Sequence, residues 1–170
     1  LNDSNGGSIR VFVKHVDQLI DEESETRLSE LRSAEGKMHL NTDEPYKEFF
    51  QRCEKLKERT LSFIKKEVSA GKRIHAYGAS TKGNTILQYY GLDNNLIEAI
   101  ADRNPDKWYR KTIGTNLKII SEEESRLSKP DYFLILPWHF LDEFRKREKE
   151  FLNSGGKFIV PLPDFKIIEE

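Results

Sequence analysis

Residues 74–91 read IHAYGASTKGNTILQYYG, and this stretch decides the fold class. The apolar start is typical of a buried strand, a turn rich in small residues follows, and a helical pattern ends at Gly91. A strand, a glycine turn and a helix in this order form the phosphate cradle of many α/β proteins. The glycines at 78 and 83 match neither the dinucleotide fingerprint nor the P-loop, because Ser80 replaces the middle glycine and Lys82 precedes the second one. The stretch predicts an α/β fold and leaves open what the turn binds.

From Lys72 onward, apolar runs alternate with amphipathic segments. We expect strands at Arg73–Tyr77, Ile97–Ala101, Leu117–Ile120, Tyr132–Leu136 and Lys157–Pro161. Helices are expected between them, at Thr81–Tyr90, Ser121–Leu127 and Phe140–Asn153. The run DYFLILP is apolar nearly throughout, which is typical of a strand covered on both faces of a parallel sheet. The pattern predicts a Rossmann-like, doubly wound α/β fold with a parallel sheet of about five strands in the order 3-2-1-4-5.

Further elements are expected before this domain. A period-two apolar pattern over residues 9–13 predicts a terminal strand, and because a single strand lacks a partner we expect it to belong to the sheet of a preceding domain. A short helix is expected around residues 25–32, followed by a long amphipathic helix with Pro45 in its first turn. The predicted division is a tail of a preceding domain with a linker at 1–41, a linker helix packed on the following domain at 42–71, and a Rossmann-like C-terminal domain at 72–170.

Composition excludes several classes of function. The 170 residues carry 28 basic and 29 acidic side chains, so we expect neither nucleic acid nor an anionic membrane as the main partner. No apolar run approaches the roughly 18 residues of a membrane span, and no signal peptide opens the chain. The one cysteine, Cys53, excludes an intrachain disulfide and a cysteine-rich zinc site. We expect a soluble, cytoplasmic protein. Because the chain begins at Leu1 and its only methionine is Met38, we expect it to be part of a longer one.

The predicted strands direct several loops to one edge of the sheet, where ligands bind in doubly wound folds. In the first loop, backbone N–H groups and polar side chains could hold a phosphate at the start of a helix. The candidate contacts are Gly78, Ser80, Thr81, Lys82, Gly83 and Asn84. The alternative is a tight turn that needs small residues only for close packing of helix on strand.

Two further loops offer side chains at the same edge. Asp102 lies about twenty positions past the glycine loop, where Rossmann domains bind a ribose hydroxyl, although Asp-x-Asn-Pro is also favourable turn chemistry. Trp138 and His139 follow the fourth strand, and His139 could contact a ligand, act as a base or be structural. The 4 histidines lack metal-ligand spacing. The residues predict a nucleotide-binding type of domain without a visible catalytic set.

Four segments together resemble one protein family. In chain order they read GKRIHAYGASTKGNTILQYYGL, IADRNPDK, KPDYFLILPWHFLDEF and GGKFIVPLPDF. They are similar to the C-terminal domain of the sugar-nucleotide C-methyltransferases, which transfer a methyl group from S-adenosylmethionine to a keto-deoxysugar. The opening NDSNGGSIRVFVKH resembles the last strand of that family's methyl-transfer domain, so the resemblance covers nearly the whole chain.

The resemblance implies a protein of three parts. A zinc-binding domain and a middle domain would precede this one, and the middle domain would bind S-adenosylmethionine and carry the acid–base residues. This domain would hold no catalytic residue, metal or cofactor, would be inactive alone, and would have the nucleotide-linked sugar and the upstream domain as its partners. Its glycine loop would face the nucleotide diphosphate, with Lys82 as the main charge partner. Four further residues would line the same pocket: Asp102, Arg103, Trp138 and His139.

One segment departs from the family pattern. Members read roughly DRNPxKxGxxxPGTxIPI after the second strand, whereas this chain reads DRNPDKWYRKTIGTNLKII. Ile113 and Lys118 stand at the places of two prolines, and the run WYRK at 108–111 makes the loop bulkier and more basic. The recognised sugar or base therefore does not follow from the resemblance.

Two other readings of the same loop stay open. One is a free-standing NAD- or coenzyme-A-type module, which Ser80 disfavours because its side chain crowds the place where backbone approaches a pyrophosphate. The other is a purely structural loop.

Overall fold

The computed structural model describes residue 2 and residues 7–170, and the chain forms two compact units, residues 1–53 and 54–170. Helix α1 (Glu22–Lys37) is longer than the short helix expected around residues 25–32. Its start is set by Asp21, whose carboxylate accepts a hydrogen bond from the Ser24 N–H, as an N-cap residue does. Helix α2 (Glu44–Ser69) confirms the predicted long helix, begins in the first unit and ends in the second.

The sheet belongs to the second unit. Its strands are β1 (Ile74–Tyr77), β2 (Ala99–Ala101), β3 (Ile119–Ile120), β4 (Tyr132–Ile135), β5 (Lys157–Val160) and β6 (Lys166–Ile168). They lie in the order β3-β2-β1-β4-β5-β6, and the first five are parallel, which confirms the doubly wound prediction. The antiparallel edge strand β6 was not expected, because a three-residue strand with an exposed lysine carries almost no periodic signal.

Helices cover both faces of the sheet: α3 (Thr81–Tyr90), α4 (Glu122–Leu127), α5 (Leu141–Arg147) and α6 (Lys149–Asn153). Because side chains alternate along a strand, β1 contributes Ile74 and Ala76 to one core and Tyr77 to the other. The first core also includes Ile64 of α2, which is fully buried, so the second half of that helix packs on the sheet.

The helix predicted over Phe140–Asn153 is broken in the structure. Trp138–Phe140 form a 3-10 turn, and α5 and α6 are separated by Glu148. The backbone of Glu148 leaves helical geometry, with φ −103° and ψ 27°, and its side chain is buried against the sheet. The break follows from that burial, since Glu148 bonds to groups on β1 and α4 that helix periodicity does not report.

Within the described residues the expected terminal strand is not formed, and its membership of a preceding domain's sheet stays a prediction. Residues 9–13 make no strand pairing, and Val11 and Val13 are 70% and 92% exposed. An isolated bridge joins Asn2 to Ser8, and residues 1 and 3–6 lie outside the described residues. Alternation reports which face of a strand would be buried, whereas pairing needs a neighbour to accept its backbone hydrogen bonds, and no described strand provides one here.

Candidate functional site

The loop between β1 and α3 contains two glycines that the packing requires. Gly78 has φ +86°, and a Cβ atom there would lie 2.5 Å from Cγ of Pro137. A Cβ on Gly83 would lie 2.7 Å from Cβ of Leu136. Both positions therefore need glycine for the approach of α3 and its loop to the end of β4. The packing alternative weighed for this loop accounts for its glycines without any ligand.

Ser80 caps α3. Its hydroxyl accepts a hydrogen bond from the Gly83 N–H at 3.0 Å, and its carbonyl accepts one from the Asn84 N–H at 2.9 Å. The cap anchors the helix start at the carboxyl edge of the sheet, where the positive end of the helix dipole favours an anion. The Ser80 hydroxyl is thus used to cap the helix of its own loop. The neighbouring Thr81 and Lys82 are exposed.

Asp102 is buried and engaged on both carboxylate oxygens. Oδ2 accepts hydrogen bonds from the Ala79 N–H at 2.8 Å and from Nζ of Lys107 at 3.1 Å. Oδ1 accepts one from the Asn104 N–H at 2.8 Å. In this geometry Asp102 ties the glycine loop to the loop after β2, and its binding of a sugar hydroxyl stays a prediction.

Lys107 is a site residue that the sequence reasoning missed. Besides its ion pair with Asp102, its ammonium donates to the Ala79 carbonyl at 2.8 Å, so it reaches the glycine loop itself. The signal that could have found it is its spacing: Lys107 follows Asp102 by five residues across the turn sequence Asn104–Pro105, and it ends the 3-10 turn that brings it back to that aspartate.

Trp138 and His139 occupy the 3-10 turn after β4, with ring centroids 5.8 Å apart. Trp138 packs against both cores, which gives it a structural role. Burial lowers the pKa of His139, and the nearby Lys82 ammonium lowers it further. His139 is therefore largely neutral near pH 7, and its buried Nδ1 has no hydrogen-bond partner among the described residues.

The structure brings together most of the predicted site residues. The loop 78–84, Asp102 and the 138–139 turn meet at one edge, and Oδ1 of Asn84 is a second buried polar atom without a partner in the described part of the chain. Arg103 forms an ion pair with Glu143 of α5 instead: its side chain is exposed, and its Nη1 lies 3.7 Å from Oε1 of Glu143. Within residues 2 and 7–170, no three His, Cys, Asp or Glu side chains come together as a metal-binding group.

A doubly wound, mostly parallel sheet with a capped helix N-terminus at its carboxyl edge defines a Rossmann-like α/β domain. Residues 3–163 match the family described as the C-methyltransferase C-terminal domain. The chain belongs to this family. It is also 33% identical over 166 residues to C-methyltransferase NovU of Streptomyces niveus, an alignment that covers 98% of this chain and 39% of that protein.

In the part of the chain that the structure describes, no helix is both long enough and apolar enough to cross a membrane.

Proposed function

We propose that this chain is the C-terminal domain of an S-adenosylmethionine-dependent C-methyltransferase that acts on a nucleotide-linked keto-sugar. Family membership and the similarity to NovU support methyl transfer as the reaction of the whole protein. In this proposal the methyl-donor site, the zinc site and the acid–base residues lie in upstream domains, and the protein works in the cytoplasm. The described domain binds the sugar nucleotide and holds no catalytic residue of its own.

The observation that carries the binding role is the grouping of anion-binding features at one edge of the sheet. The start of α3 presents backbone N–H groups, and Lys82 adds a positive charge beside His139. A nucleotide diphosphate carries the negative charge and the acceptor oxygens that such a site attracts.

The unpartnered atoms suit the same ligand. A buried polar atom without a hydrogen bond costs on the order of 1–3 kcal/mol, so a ligand that bonds to one recovers part of that cost. Asn84 can orient its amide to donate or accept, and neutral His139 can donate from one ring nitrogen while it accepts at the other. Hydroxyl groups of a sugar both donate and accept, and they match this mixed pair better than a purely anionic group does.

Calorimetric titration of the full chain with thymidine diphosphate tests the proposal. Lys82→Ala is expected to weaken binding about tenfold or more, because a hydrogen bond to a charged group contributes roughly 1.5–3 kcal/mol. Lys149→Ala, which removes an exposed lysine from α6, is the matched control and is expected to bind like the parent chain.

Two results would contradict the proposal. Equal affinities of the Lys82→Ala and Lys149→Ala variants would remove the phosphate role of the loop and leave the structural reading. Tight binding of NADH in place of thymidine diphosphate would favour the dinucleotide module instead.

A further inference from the structure

Tyr109 has a backbone conformation that bulky residues rarely adopt. Its φ is +63°, in the left-handed region, and its side chain is large and 68% exposed. Such a conformation costs a non-glycine residue free energy that the surrounding structure must offset. An exposed ring does not recover that cost through burial, so its place in the loop needs another reason.

The backbone around Tyr109 is held firmly. Its N–H donates to the Ile119 carbonyl at 2.7 Å, and the Ile119 N–H donates to the Arg110 carbonyl at 2.9 Å. The indole of Trp108 donates to the Asp102 carbonyl at 2.7 Å. The segment is thus bonded to β3 on one side and to the candidate site on the other, which fixes where the Tyr109 ring is presented.

A cation lies over the Tyr109 ring, and two more basic residues follow it in the chain. Nζ of Lys118 lies 5.4 Å from the ring centroid of Tyr109, and Arg110 and Lys111 are exposed beside it. Lys118 also lies 3.6 Å from the carboxylate of Glu124, so its charge is partly balanced. The result is an exposed aromatic ring with an ammonium over one face, a pairing of aromatic and positive groups that proteins use to bind the bases and phosphates of single-stranded nucleotides.

The ring is close to the candidate site along the chain. Lys107, two residues earlier, donates to the glycine-loop carbonyl of Ala79, and Trp108 bonds to Asp102. In a doubly wound sheet a nucleotide whose phosphates lie at the loop after β1 extends across the ends of the neighbouring strands. The loop after β2, which carries Tyr109, lies in that direction.

We propose that Tyr109, together with Lys118, forms the stacking surface for the base of the nucleotide diphosphate. This inference rests on the proposed function and identifies the part of the site that selects the base. Tyr109 and Lys118 come from opposite ends of the loop between β2 and β3 and contact each other, so they form one surface.

Comparing thymidine diphosphate with inorganic pyrophosphate separates the contribution of the base to binding from that of the phosphates. In the full chain, Tyr109→Gly is expected to weaken thymidine diphosphate binding about tenfold, because base stacking on an aromatic side chain contributes roughly 1–3 kcal/mol. Its affinity for inorganic pyrophosphate, which lacks a base, should stay within about twofold of the parent chain. Lys82→Ala is expected to weaken both ligands.

Control variants separate the loss of a ligand contact from the relief of backbone strain at Tyr109. Because glycine accepts positive φ, Tyr109→Gly should leave the melting temperature unchanged or raise it. Lys129→Gly relieves a similar conformation, φ +52°, on the exposed loop before β4 and should not change either affinity. Tyr109→Phe keeps the ring and should retain most of the affinity.

The outcomes are distinguishable. Unchanged thymidine diphosphate affinity in Tyr109→Gly, with the Lys82→Ala effect intact, overturns the base-stacking role alone. A loss in Tyr109→Phe as large as that in Tyr109→Gly assigns the effect to the hydroxyl and also overturns stacking. Failure of the parent chain to bind either ligand overturns the proposed function together with this inference.

Discussion

At the scale of single residues, Gly78 shows how one position can suit two explanations. A glycine at the start of a loop beside a helix N-terminus suggests close approach of a phosphate. In the structure its φ of +86° and its contact with Pro137 are sufficient reasons for glycine. The residue is required by packing, so its presence is not evidence for a ligand, and the case for binding depends on Lys82 and the unpartnered atoms instead.

Replacing Gly78 by alanine is therefore expected to destabilise the protein strongly. Positive φ costs alanine about 1–2 kcal/mol, and the clash with Pro137 adds roughly 1–3 kcal/mol, so a loss of about 3 kcal/mol is expected. Gly91→Ala is the matched control, since Gly91 has φ +68° with no atom within 4 Å of the added Cβ, and it should lose only the first amount. Urea denaturation measures both, and equal losses would show that the Pro137 contact does not matter.

At the scale of elements, a buried acid holds helices to the sheet. Glu148, between α5 and α6, has a fully buried side chain, and its Oε1 accepts hydrogen bonds from the Tyr77 hydroxyl at 2.7 Å and from Arg126 of α4 at 2.6 Å. Burial, followed by the contact with Glu148, raises the pKa of Tyr77. The cluster links α4, β1 and the α5–α6 break, so the break depends on a side chain from another helix.

Removal of Arg126 is expected to leave this acid without its ion-pair partner. Arg126→Ala should destabilise the protein by about 3 kcal/mol, the low end of the range for breaking a buried pair, because the arginine itself is 42% exposed. The double variant Arg126→Ala/Glu148→Gln should recover part of the loss, because the buried charge is then gone. Arg145→Ala, exposed on α5, is the control and should stay within about 0.5 kcal/mol. If the double variant recovers nothing, the ion pair is not the cause.

At the scale of the whole molecule, stability should depend on a buried histidine of the central strand. His75 lies beside Ser125 at 2.8 Å and Glu98 at 3.4 Å. Burial lowers its pKa below the ordinary 6.5, and Arg73 adds to this, while Glu98 and Glu124 oppose it. Because the unfolded chain then binds more protons than the folded one, the free energy of unfolding should fall as pH drops below about 6.5.

Denaturation between about pH 5 and pH 8 tests this pH dependence. His75→Gln should lower stability but flatten its slope with pH, since no histidine remains at that position to take up the proton. His15→Gln, at an exposed histidine, is the control and should keep the parent slope. An unchanged slope in His75→Gln would assign the pH dependence to other groups.

Much of the fold was predictable because its determinants are local. Apolar runs of strand length, capping residues and glycines at turns lie within a few positions of one another. They were sufficient for the order of the five parallel strands and for the bounds of α3. The pairing of residues 9–13 was not predictable in the same way, since a strand depends on a neighbour as well as on its own pattern. The edge strand β6 and the α5–α6 break were missed for the same reason.

The candidate site likewise has features that the sequence predicts and features that it does not. The sequence alone determined which loops meet, because the carboxyl ends of parallel strands share one edge of the sheet. Only the tertiary structure decided how those side chains are used: Asp102 is occupied by Ala79 and Lys107, and Lys118 lies beside the Tyr109 ring. Strand order follows from patterns of neighbouring residues, whereas the partner of a side chain depends on distances between segments far apart in the chain, which packing alone sets.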